Sequence, residues 1–207
     1  MAKEQLQRAV ILLSGGPDSS TLAYWAKEKY QIQGLFLNLG QFVAAQEERA
    51  ADRIAAELRM PLHKVNLPTL ASQIGLGGRL NCNKTEPLML IMGAEYAHRV
   101  ADRVLIGIIQ DDVKKNPGIP EVVKNTEQNI RLYRGLEGFQ IEAPFIEKGK
   151  SAVLQSGSQM AVPFQHTWSC FEDGAQHCGA CDQCANRREA FKAANLKDPT
   201  NYSLHGS

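Results

Sequence analysis

The chain has 207 residues, with 23 Lys+Arg against 22 Asp+Glu and a formal net charge of +1. That balance argues against a general nucleic-acid-binding surface, and the length suits one α/β domain with a small appendage, burying roughly 70% of its unfolded surface without disulfide staples. No apolar run is long enough to span a membrane and Met1-Ala2-Lys3-Glu4 opens no signal-peptide pattern, so a cytoplasmic protein is expected, in which five cysteines point to metal or catalysis.

The apolar run Ala9-Val10-Ile11-Leu12-Leu13 predicts a buried strand at 10–13. It leads into Ser14-Gly15-Gly16-Pro17-Asp18-Ser19-Ser20, and a helix is expected over 18–29. Strand, tight glycine turn and helix start together make an anion trap. Glycine lets backbone N–H groups approach closely, and the helix N-terminus adds partial positive charge. Ser14, Ser19 and Ser20 can add hydroxyl donors. Asp18, near the N-cap, can cap backbone donors or hold Mg²⁺. No Gly-Lys-Ser/Thr closes the turn, so it is not the Walker pattern. The plainer alternative is a serine-glycine turn that only caps a helix.

A second strand is expected at 34–38, a turn at Gly40-Gln41, and a helix over 43–58 with Ala50, Ile54 and Leu58 on one face. A third strand follows at 62–67. Residues 68–86 read as a long functional loop, and Pro87 fits the first turn of a helix reaching about 101. A strand at 103–107, a polar loop at 108–120, a helix to about 136 and a strand at 139–142 complete an alternating pattern. That alternation predicts an α/β fold, an open parallel sheet flanked by helices. Ligands in such sheets sit beyond the carboxyl ends of the strands. The glycine turn, Asn38, Gln41 and Gln110-Asp111-Asp112 all fall at such ends and are expected to share one crevice. Lys148-Gly149-Lys150-Ser151 opens a further helix, where a lysine opposes the helix dipole. Lys150 is therefore either a phosphate or oxyanion contact or a solvated surface cation.

Cys170, Cys178, Cys181 and Cys184 are spaced C-x7-C-x2-C-x2-C, with Gly174 and Gly179 to allow the turns. Four thiolates on short turns suit a closed, structural zinc site, contributing on the order of 10 kcal/mol to folding. An iron–sulfur cluster is the alternative for the same ligands. Cys82 stands apart as a half-buried small residue or a pocket thiol.

Ser14-Gly15-Gly16-x-Asp18-Ser19 resembles the PP-loop of the N-type ATP pyrophosphatases, which cleave ATP between the α and β phosphates and adenylate a substrate. Over most of the chain the resemblance narrows to the QueC family, the 7-cyano-7-deazaguanine synthases. It is carried by the PP-loop, Leu39-Gly40-Gln41, Val104-Leu105-Ile106-Gly107 with Asp111-Asp112, Ala143-Pro144-Phe145 with Lys150, and Thr167-Trp168-Ser169-Cys170 through Phe191. The resemblance implies an ATP-binding domain at 1–165 and a zinc tail at 166–207 packed on it. It implies nucleotide contacts from Ser14, Gly15, Gly16, Asp18, Ser19, Ser20, Asn38 and Gln41, with Asp18 and Lys150 as catalytic groups. Asp111, Asp112 and Trp168 would meet the substrate; the plainer role for Trp168 is to pack the zinc loop on the core. ATP, Mg²⁺ and Zn²⁺ are the implied cofactors, a deazaguanine carboxylate the substrate, ammonia the acceptor, and a homodimer the implied assembly.

The chain departs from the family at Phe42-Val43 (usually Arg-His), at Arg79-Leu80-Asn81-Cys82-Asn83-Lys84, and at 113–120. These departures favour an alternative, a QueC-like paralogue of bacterial defence type that passes the adenylated acid to an amine of a partner protein. A tRNA-modifying PP-loop enzyme and a zinc-stabilised binding module without catalysis are the remaining readings. The charge balance and the lack of an RNA-binding domain weigh against the first, and the complete PP-loop and Lys150 against the second.

Overall fold

The computed structural model describes residues 6–73 and 85–203. Within them, β1 (Arg8–Leu12), β2 (Gln31–Asn38), β3 (Leu62–Asn66), β4 (Arg103–Leu105) and β5 (Gln140–Glu142) form one parallel sheet, ordered β3-β2-β1-β4-β5. The helices are α1 (Pro17–Ala26), α2 (Ala44–Glu57), α3 (Pro68–Gln73), α4 (Glu86–Ala97), α5 (Gln110–Lys115), α6 (Ile119–Arg134), α7 (Lys150–Gln159) and α8 (Asp182–Ala193). None is long and apolar enough to cross a membrane.

β1 is apolar at every position after Arg8 because both faces of the sheet are covered. Its residues alternate between two cores, as a two-residue repeat requires. Ala9, Ile11 and the following Leu13 pack with Leu22 of α1, Ile54 of α2, Leu154 of α7 and Phe191 of α8. Val10 and Leu12 pack with Leu90 of α4 and with Val123 and Ile130 of α6. The chain runs β1-β2-β3 in one direction and then returns to place β4 on the other side of β1. Strand order therefore switches at the carboxyl ends of β1 and β4, where a crevice opens in sheets of this kind.

Several elements differ from the sequence expectation. β2 begins three residues earlier, at Gln31, pairing with Arg8 at the rim of β1. The expected loop at 68–86 begins as a short helix, α3, and the departures at 79–84, with Cys82, lie outside the described residues. The expected loop at 108–120 holds α5 and the start of α6. β4 stops at Leu105, two residues short of the expected end, and α1 passes close by the residues that follow. A Cβ on Gly107 would stand 3.0 Å from the Ser19 nitrogen.

Candidate active site

The glycine turn occupies the switch point. Gly15 has φ +78, and a Cβ there would meet the Glu47 carbonyl oxygen at 2.5 Å and Ala50 Cβ at 2.8 Å. Only glycine combines that conformation with so close an approach to α2. Gly16 is the N-cap of α1 and Pro17 its first residue, and no side chain caps the helix. The first-turn N–H groups, which have no partner inside a helix, are left to face the turn. Ser14 and Ser19 hydroxyls lie 3.0 Å apart beside them.

Above the turn lies a cleft of about 240 Å³. Ser14, Gly16, Asp18, Ser19, Gln41 and Asp112 line it, among apolar walls that include Leu37, Met89 and Ile108. Asp18 forms an ion pair with Lys150, bringing α7 to the same point, while its other oxygen, Oδ1, is buried without a partner. Lys150 is the first residue of α7, and its N–H donates to Asp111 Oδ2 at 2.9 Å. Asp111 thus caps α7 instead of facing the cleft. Asp112 Oδ2 accepts the Ile109 N–H at 3.0 Å. Burial raises the Asp112 pKa, that hydrogen bond lowers it, and the nearby Asp18 charge raises it again.

The remaining residues singled out in the sequence have other placements. Ser20 is fully buried in α1, with an unpartnered hydroxyl. Asn38 shapes a turn, accepting the Gly40 N–H at 2.9 Å and donating to Asn66 at 3.2 Å. Gln41 does line the cleft, but its amide is spent internally. Its oxygen takes the Leu39 N–H at 2.8 Å, and its nitrogen serves Leu37 O at 3.3 Å and Glu47 Oε2 at 2.8 Å. Trp168 is outside the cleft lining. Its backbone N–H donates to Gly15 O at 2.9 Å and its ring lies on His177, centroids 4.3 Å apart.

Two acids on the cleft wall escaped the sequence reading. Burial pushes Glu47 up to about 7, against the hydrogen bond from Gln41. Glu86, first residue of α4, is also raised, chiefly by burial and further by Asp112. A signal for Glu47 was present: it stands three and seven residues before Ala50 and Ile54, inside the apolar stripe of α2. Glu86 resembles any acid in a helix first turn and carried no signal.

The four tail cysteines converge, with all four Sγ atoms within 4.8 Å of one another. Cys170–Cys181 and Cys178–Cys184 are 3.8 and 3.9 Å apart. A single tetrahedral ion with metal–sulfur bonds of ~2.3 Å holds sulfurs ~3.8 Å apart, so the set fits one ion. Backbone N–H groups of Glu172 and Cys178 point at Cys170 Sγ, each at 3.3 Å, as suits a thiolate. Behind them Arg187, 2% exposed, donates to Phe164 O, Thr167 Oγ1 and Asp198. Arg187 is thus a buried strut between α8 and the segment before the cysteines.

A family model described as queuosine biosynthesis protein QueC matches residues 8–78 and 83–195. The chain is 31% identical to a 7-cyano-7-deazaguanine synthase from Nitratiruptor sp., over 94% of this chain and 98% of that protein. It is 33% identical to one from Methanosphaerula palustris, over 94% of this chain and 99% of that protein. Among solved structures it is similar in fold to the U34-tRNA thiolase NcsA from Methanococcus maripaludis, solved with its 4Fe-4S cluster. The TM-score is 0.58 at 16% identity, covering 92% of this chain and 68% of that one. It is also similar to NH3-dependent NAD synthetase from Campylobacter jejuni. There the TM-score is 0.51 at 16% identity, covering 78% and 67% of the two chains.

Proposed function

This chain belongs to the QueC family, and on that premise we propose that it is an ATP-dependent ligase making 7-cyano-7-deazaguanine from 7-carboxy-7-deazaguanine and ammonia. The observation that carries the reading is the match to synthases of that name along nearly the whole length of both chains. A carboxylate is a poor electrophile. Its attack on the α-phosphorus of ATP expels pyrophosphate and leaves an acyl adenylate. Ammonia then displaces AMP to give the amide, and a second activation at the amide oxygen, followed by loss of AMP, gives the nitrile.

The residues suit these steps. The uncapped first turn of α1 and the Ser14 and Ser19 hydroxyls would hold the phosphates. The unpartnered Asp18 Oδ1 fits an Mg²⁺ ion carried with the nucleotide, and that ion would offset charge on the departing pyrophosphate. Lys150, held beside Asp18, would face the α-phosphate. Leu37, Met89 and Ile108 would pack against flat rings, with Asp112 as a polar contact at the same wall. The four cysteines would hold zinc in a closed site. A four-iron cluster places each thiolate on a different iron and needs a wider spacing, and metal analysis of purified protein separates the two.

The test is turnover with 7-carboxy-7-deazaguanine, ATP and ammonium, with products read by mass spectrometry. Nitrile is the expected product. AMP and pyrophosphate without nitrile would keep the adenylation and move the acceptor to another amine, a protein amine first. No nucleotide turnover would overturn the proposal.

A further inference from the structure

We propose that the cysteine loop sets the orientation of the phosphate-binding turn through Trp168 and Gln46, so that metal held by the cysteines and nucleotide held by the turn strengthen each other. The inference rests on the proposed function only in taking the turn as the nucleotide site.

The coupling begins at one peptide group. Gly15 C=O and Gly16 N–H belong to the same planar trans unit and point in opposite directions. Trp168 N–H holds the Gly15 oxygen at 2.9 Å. That bond aims Gly16 N–H the other way, to the side of Ser14 Oγ, which it meets at 3.4 Å. Glycine at φ +78 has little of its own to resist a flip of this peptide, so an outside anchor decides its direction.

Trp168 is in turn fixed by the cysteine loop. Its indole N–H donates to Cys170 O at 2.9 Å, and its ring lies on His177, the neighbour of Cys178. His177 Nε2 accepts the Ser169 N–H at 3.2 Å, closing the loop on both sides of Trp168. A second strut starts from α2. Gln46, 6% exposed, donates to Asp173 Oδ1 and, at 2.9 Å, to Gly174 O, both between Cys170 and Cys178. The adjacent residue, Glu47, supplies the carbonyl against which Gly15 is wedged. From Cys170 to Cys181 the only regular pairing among the described residues is a single bridge, His177 to Tyr202. The loop's shape therefore depends on bringing its thiolates together, which a metal does.

Coupling of this kind is reciprocal: each ligand must tighten the other by the same factor. The probe is α,β-methylene-ATP, which cannot be cleaved between the α and β phosphates. Its Kd is measured on the full chain with and without zinc at a temperature where circular dichroism shows the fold retained. Zinc affinity is measured against a chelating dye with and without saturating analogue. The expected result is about a tenfold change in both, equal within error, which is about 1.4 kcal/mol. Analogue affinity indifferent to zinc in folded protein overturns the coupling alone. No binding to zinc-loaded protein overturns the coupling and the nucleotide site together. If the stripped protein unfolds, zinc-loaded variants decide. Trp168→Ala should weaken the analogue about tenfold at full zinc content, with Trp168→Phe in between, and Gln46→Leu severalfold. A purely structural role would lower thermal stability and leave these Kd values unchanged, and that result overturns the proposal.

Discussion

Lys150 begins a helix, where its charge opposes the helix dipole, and two aspartates make that position tenable. Asp111 accepts its backbone N–H and Asp18 pairs with its ammonium group. An arrangement that needs two partners to hold one cation suggests that the charge is wanted at the turn. Lys150→Ala should lower kcat about 10²-fold while the Kd of an uncleavable ATP analogue stays nearly constant. Asp18→Ala should lower kcat at least as far, and the double variant should be no worse than Asp18→Ala alone, because the two act as a unit. Additive losses in steady-state kinetics would show them acting separately. Glu47 supplies a stability signature at the same site. Its carboxyl rises from 4.5 to about 7 on folding, chiefly by burial. Across that window the folded chain holds a proton that the unfolded chain has released, so the Glu47 contribution falls as pH rises from 4.5 to about 7. Glu47→Gln removes this loss. The melting temperature of the variant relative to wild type should climb by a few degrees, ~2–4 °C per kcal/mol, between pH 5 and pH 8. A difference that stays flat with pH would place Glu47 in water.

At the scale of elements, long periodic segments were legible and short ones were not. The α2 stripe and the apolar β1 run carry their burial in the sequence, because each repeats a spacing several times. α3 and α5 are six residues long, fewer than two turns, so periodicity has nothing to repeat. α5 also begins after Ile109, an apolar N-cap, and its start is fixed by Asp112 reaching back to the Ile109 N–H. In the site, the contiguous motifs were readable: the glycine turn and the cysteines. The roles of Asn38, Gln41, Asp111 and Arg187 depend on partners far along the chain or on backbone geometry that spacing does not encode. Gly107 shows what that hides. It reads as an ordinary glycine after a strand, yet α1 rests on it at the approach of Ser19. Gly107→Ala should push the first turn of α1 outward, cost ~1–3 kcal/mol in urea unfolding, and weaken ATP-analogue binding as well. Loss of stability with unchanged analogue affinity would mean that the turn relaxes independently of α1.

At the scale of the molecule, the question is whether the cysteine tail is a separate unit or part of one cooperative core. The tail begins as loop and metal-type turns, which would suit an independent unit. Its helix argues otherwise. Ala190 and Phe191 of α8, and Ala194 at its C-cap, belong to the same buried cluster as Ile11 of β1, Leu22 of α1 and Leu154 of α7. Phe164 and Phe191 meet edge to face at 5.3 Å, across residues that a boundary at 165 would separate. Arg187 spans the same junction, donating to Phe164 O at 2.9 Å and to Asp198, and burial is the main influence lowering its pKa. Removing a partner from such a buried pair costs ~3–5 kcal/mol, more than most surface changes, so Arg187→Met should destabilise the whole chain. Cys181→Ser tests the same point from the metal side. It should lose bound zinc by elemental analysis and lower the melting temperature, while unfolding remains a single transition seen alike by far-ultraviolet circular dichroism and tryptophan fluorescence. Trp168 reports the tail and Trp25, packed edge to face on Phe145, reports the core. If fluorescence melts first and circular dichroism later, the tail opens as its own unit, and the proposed coupling between metal and glycine turn would have to act through Trp168 and Gln46 without support from α8.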